Sequence, residues 1–105
     1  MKSSERHLAT ARPTPVLVEG ALQRLGKRVW IARKLRSMTQ QDLADLANVS
    51  LSTLRALEAG SDGVSLGNAL KVFLALGLLG QIDALLDPQV DPQSVAFAER
   101  TLKVR

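Results

Sequence analysis

Apolar residues recur at helical spacing along most of this 105-residue chain. Leu22, Leu25, Val29, Ala32 and Leu35 lie three or four apart, with Gln23, Arg24, Lys27, Arg28, Arg33, Lys34 and Arg36 on the opposite face. That pattern predicts a basic amphipathic helix ending near Ser37. Thr14 and Pro15 suit its cap and first turn, and Gly20 weakens its early part. Thr39, followed by Asp42, predicts a capped second helix of about two turns with Leu43, Leu46 and Ala47 inward. Asn48 tolerates a left-handed turn. Ser50 then caps a third helix from Leu51 to about Ala59, with Leu54 and Leu57 inward and Gly60 placed to end it. After a loop at Ser61, Asp62 and Gly63, Ser65 caps a fourth helix whose apolar face is Leu66, Ala69, Leu70, Phe73 and Leu74. Gly77 ends it. A shorter fifth helix over Leu79 to Leu86 aligns Ile82, Leu85 and Leu86 and stops at Asp87-Pro88. From Ser94 to Val104 the periodicity fits a short helix or a strand equally well.

The fold class is therefore all-α: five helices in one domain over residues 15–87, with a mobile basic arm at 1–14 and a C-terminal tail at 88–105. Leucine and alanine supply most of the apolar surface, and the only aromatic residues are Trp30, Phe73 and Phe97. Trp30 falls beside the main apolar stripe, so it either packs at the edge of the core or belongs to a partner surface. Met38 and Leu35 read as core. The absence of cysteine excludes disulfides, zinc–thiolate sites and thiol chemistry, and the one histidine, His7, cannot build a triad or a multi-histidine metal site. No cluster of catalytic side chains is visible, so neither an enzyme nor a cofactor is expected. No targeting signal is evident, and the longest apolar stretch, Val72 to Gly80, is too short to span a bilayer. A soluble, cytoplasmic protein is expected.

Charge sharpens this reading. Residues 1–36 carry nine basic residues against Glu5 and Glu19, a net of +7, whereas residues 37–98 carry Arg55 and Lys71 against seven acids, a net of −5. A basic front end on a small helical domain points to a polyanionic partner, nucleic acid first.

The segment from Thr39 to Gly60, TQQDLADLANVSLSTLRALEAG, has the requirements of a helix-turn-helix. Ala44 is small where two helices must cross, Asn48 can take the turn, and Val49, Leu54 and Leu57 anchor the second helix. The front of that helix then projects outward, able to enter a major groove.

The stretch LGKRVWIARKLRSMTQQDLADLANVSLSTLRALEAG resembles the Xre/Cro-type helix-turn-helix repressors, and the resemblance extends from about Leu22 to Leu86. It is carried by Arg33, the pair Thr39-Gln40, Leu43-Ala44, the hydrophobic turn, Glu58 and Gly60. Two positions depart from the family pattern: Asn48 replaces a common glycine, and Leu51 replaces a usually polar residue. The stretch GVSLGNALKVFLALGLLGQIDALL is similar, less specifically, to HipB-type antitoxins, which pair with a HipA-type kinase toxin.

The resemblance implies a homodimeric repressor of double-stranded DNA on a palindromic operator, and, through the second stretch, an autoregulating antitoxin. The alternatives are a stand-alone phage-like or metabolic-gene regulator, and a protein-binding module with incidental DNA contact. Gln40, by resemblance, holds a phosphate at a helix N-terminus. Ser50, Leu51, Ser52, Thr53, Arg55 and Ala56 form the DNA-facing front. Arg55 suits either two hydrogen bonds to guanine or a phosphate contact, Leu51 offers only a methyl surface, and Thr53 suits a phosphate. Arg33 and Glu58 resemble the family's structural ion pair. Leu79, Ile82, Leu85 and Leu86 are expected at the dimer interface, with Val95 and Phe97 as additions; the competing account places them in the monomer's own core.

Overall fold

The computed structural model describes residues 12–89 and 91–102. The N-terminal arm expected at residues 1–14 lies almost wholly outside the described residues. Among the described residues there are six helices and no strand: α1 Val16–Leu35, α2 Gln40–Ala47, α3 Leu51–Glu58, α4 Leu66–Ala75, α5 Leu79–Ile82 and α6 Pro92–Leu102. The all-α class holds.

Helix ends follow local chemistry. In α2 the Thr39 hydroxyl accepts from the Asp42 N–H at 3.0 Å, and the Asp42 carboxylate accepts from the Thr39 N–H at 2.9 Å. The Thr39 backbone contact, and after it the Thr39 side chain, hold the Asp42 carboxyl below its ordinary value. Ser50 and Ser65 cap α3 and α4 by accepting from Thr53 N–H and Asn68 N–H, each at 3.1 Å. Asn48 turns the chain between α2 and α3 at φ 57°, ψ 47°. The start of α1 departs from expectation. Pro15, in extended conformation, is the N-cap, and no side chain caps the helix. Thr14 therefore lies one residue too early to cap, and its hydroxyl donates to the Asp62 carboxylate instead. Gly20 does not interrupt the 20-residue helix.

The core is centred on Leu43, Leu54 and Val72, with Val29, Ala44, Ala47, Leu57, Ala69, Phe73 and Leu76 around them. The packed helix pairs are α1 with α3, α2 with α3 and α4, α3 with α4, and α4 with α5; α6 joins none of them. Gly26 allows the tightest crossing: a Cβ there would stand 2.5 Å from the Glu58 carbonyl oxygen and 2.6 Å from that of Leu57. The end of α3 thus lies directly on the backbone of α1. Gly60 (φ 79°) closes α3 equally near the Gln23 backbone.

Several inward assignments are corrected. Leu35 is exposed, because the chain reverses at Ser37 (φ 55°) and Met38 packs on the core in its place. Leu46 is exposed, since α3 and α4 cover only the Leu43–Ala44–Ala47 side of α2. Leu66 and Leu74 are also exposed; α4 turns Ala69, Val72 and Phe73 inward. Helix α5 is a single turn, ending at Ile82 instead of continuing to Leu86, and Leu86 itself is left-handed (φ 59°). Among its described residues the tail forms a helix, with no strand. Asp91 accepts from Ser94 Oγ at 2.6 Å and Gln93 N–H at 3.3 Å, and Pro92 occupies the first turn.

Candidate nucleic-acid interface

Helices α2 and α3 are joined by Asn48, Val49 and Ser50, with the Val49 N–H bonded back to the Ala44 carbonyl at 3.0 Å. Ala44 is fully buried where the helices approach, and Val49 packs on the core from the turn. These contacts leave the front of α3 facing outward. Ser50, Ser52 and Arg55 are exposed, while Leu51, Thr53 and Ala56 are partly buried along the edges of the same face. The Ser50 proton goes to Thr53 Oγ1 at 2.8 Å, and Ser52 Oγ lies 3.1 Å from Ser50 Oγ. Thr53 accepts that proton, so its own hydroxyl proton is available to an outside acceptor.

Behind this face is a buried ion pair. Arg33 Nε donates to Glu58 Oε2 at 2.7 Å, and Arg33 Nη2 donates to Glu58 Oε1 at 3.0 Å. The third arm of the guanidinium donates to the Met38 carbonyl at 2.8 Å. Arg33 is only 5% exposed, although its position in the sequence pattern belongs to the polar face of α1. The bidentate geometry and the carbonyl contact satisfy a charge that would otherwise be costly to bury.

Gln40 links this pair to the surface. Its amide donates to Glu58 Oε1 at 3.1 Å, and its carbonyl accepts from Arg55 Nε at 3.4 Å. The structure thus brings together Arg33, Glu58, Gln40 and Arg55 in one polar chain running from core to surface. Sequence reasoning paired Arg33 with Glu58 but missed the Gln40 bridge, which joins residues 15 and 18 positions apart. It also missed Gly26, whose position inside a helical stripe was the available signal for a close backbone approach. Gln40 begins α2, where first-turn N–H groups have no intrahelical partner. Lys34, Ser37 and Thr39 line the recess beside it.

The residues expected at a dimer contact separate into two groups. Ile82 is partly buried against the core, as is Leu78. Leu85 and Leu86 are 67% and 81% exposed, Phe97 is exposed, and Leu79 is partly buried. Among the described residues, no cluster of His, Asp or Glu could hold a metal ion, and no helix is long and apolar enough to cross a membrane.

Residues 31–79, from the second half of α1 to the start of α5, match the helix-turn-helix family. This segment is similar to helix-turn-helix domains of the Xre/Cro type. The domain contains Arg33, Gln40, Arg55 and Glu58. No curated protein and no solved structure matches the chain.

Proposed function

We propose that the chain is a sequence-specific transcription regulator that binds double-stranded DNA through the front of α3 and represses as a homodimer on a palindromic operator. One observation carries the reading: an outward α3 face bearing Ser52 and Arg55 at a helix-turn-helix corner, braced from behind by the Arg33–Glu58 pair. Arg55 is the main candidate for direct base reading, because a guanidinium can donate twice to guanine O6 and N7. Gln40 and Thr53 are the candidates for phosphate contact. A mobility-shift titration tests this with DNA from upstream of the protein's own gene and a scrambled duplex of equal length. Preferential retention of the upstream DNA supports the reading; equal affinity for both at every salt concentration defeats it.

One recognition helix contacts only a few base pairs, so a palindrome read by two copies supplies the remaining specificity. The exposed Leu85 and Leu86 are the proposed apolar contact, used symmetrically by both copies, with Phe97 adding to it. The same reading includes an antitoxin role, supported by the resemblance of residues 63–86. Leu66 and Leu74, exposed on that segment, offer a HipA-type kinase an apolar contact. Co-expression with such a kinase encoded beside the gene tests it: a complex lost in a Leu66→Asp/Leu74→Asp variant supports the role, and separate elution removes it.

A further inference from the structure

Trp30 is the chain's single tryptophan and immediately precedes the matched segment. The sequence pattern leaves Trp30 at the core edge or on a partner surface; it is 39% exposed and lies outside the core cluster. Two cations flank its ring: Lys27 Nζ at 4.8 Å and Lys34 Nζ at 5.7 Å from the centroid. The spacing i, i+3, i+7 places all three on one face of α1. Among the described residues, neither lysine has an acidic partner. This difference matters. A carboxylate would restrain a lysine and cancel its charge, whereas an indole face restrains it and leaves the charge available. Glu58 is committed to Arg33, and Asp42 to Thr39.

The strip is continuous with the recognition surface. Lys34 lines the recess at the start of α2 with Thr39 and Gln40, and Gln40 meets Arg55. We infer that Lys27, Trp30 and Lys34 form a second nucleic-acid contact, a phosphodiester-binding strip along α1 that engages the duplex backbone beside the bases met by α3. The ligand chemistry is a run of phosphates: two ammonium groups to pair with them, and the indole N–H as a neutral donor. The inference rests on the DNA-binding reading above and adds a contact that the matched family segment does not include in full.

The test uses the full chain, a random-sequence duplex about three helical turns (~30 bp) long, and Trp30 emission as a local probe. The wild type is expected to change emission on binding. Lys27→Gln/Lys34→Gln is expected to keep its helical circular dichroism and lose about two counter-ions per chain from the salt dependence. Raising salt from 50 to 200 mM should then weaken the wild type about tenfold more than the variant, on specific and random DNA alike. Arg55→Ala should instead relax sequence preference at one base step while retaining the emission change. Duplex binding with unaltered Trp30 emission and an unchanged salt slope in the double variant overturns the strip and leaves the α3 reading intact. Loss of a protein partner in the double variant, with DNA binding untouched, also overturns it. Failure of the wild type to bind any duplex at low salt overturns the DNA-binding reading itself.

Discussion

The helix-turn-helix corner and the segment after Gly77 are built from similar amounts of leucine, yet they finish differently. Between Gln40 and Glu58, both helices have side-chain caps, the turn residue sits in its favoured left-handed conformation, and the buried charge is matched. After Gly77, α5 is one turn, Leu85 and Leu86 point to solvent, and α6 joins no packed helix pair. Short-range chemistry completes the corner within one chain. Among the described residues of the C-terminal segment, Leu78 and Ile82 pack on the core, and Leu85, Leu86 and Phe97 stay exposed, the surface proposed above for a second copy. The contrast sets a packed, capped helix-turn-helix corner against a C-terminal segment that leaves its apolar side chains exposed.

The contrast breaks first if the corner is not held by its buried pair. Glu58→Ala leaves Arg33 buried with only the Met38 carbonyl and should cost about 3–5 kcal/mol in chemical denaturation. A cost below about 1 kcal/mol would place the pair in the class of solvated surface bridges. Next in size is Gly26→Ala. Its Cβ would meet the Glu58 carbonyl oxygen at 2.5 Å, so α1 and α3 must separate. We expect a loss of about 1–3 kcal/mol, larger than for an alanine at exposed Gly67, where a Cβ meets nothing within 4 Å.

In the C-terminal segment the exposed and the core-packed apolar residues respond separately to substitution. Leu85→Asp/Leu86→Asp should shift sedimentation equilibrium to the monomer while leaving helicity and melting nearly unchanged. Ile82→Asp, which places a charge against the core, should lower the melting temperature even of the monomer. Equal unfolding by both variants would make all three residues part of one core.

The smallest expected effect is electrostatic. The Asp42 carboxyl titrates below its ordinary value of 3.8 because Thr39 favours its charged form. A lowered native pKa stabilises the fold above the ordinary value, and that contribution disappears as pH falls through the lowered one. The melting difference between wild type and Asp42→Ala should therefore shrink on acidification below the ordinary carboxylate range. A difference that stays constant with pH would show that only the uncharged part of the cap matters.

What could be read in the sequence was what neighbouring residues determine. Thr39 with Asp42, Ser50, Ser65, Asn48, Gly60 and Gly77 mark helix ends, and the structure uses each of them there. Which leucines face inward depends on helix crossings between distant residues, so Leu35, Leu46, Leu66 and Leu74 were misassigned by periodicity and Val72 was overlooked. Gln40 illustrates the same limit at the candidate site. Its place at a helix start was legible, but its bridge from Glu58 to Arg55 exists only after α1, α2 and α3 have packed. The start of α6 is a different case: Asp91 and Pro92 form a local cap that the alternation of apolar residues obscured.

The exposed front of α3 is proposed to read sequence, with Arg55 as its main base contact. The most direct measurement is fluorescence anisotropy of wild type and Arg55→Ala, at one fixed salt concentration, against an operator duplex and its complete set of single-base substitutions. Arg55→Ala should weaken operator binding by about 1–3 kcal/mol and flatten the wild-type preference at one base step, leaving the other steps unchanged. A uniform loss across every duplex would reduce Arg55 to a phosphate contact, and a wild type that binds all duplexes equally would contradict sequence reading by α3 altogether.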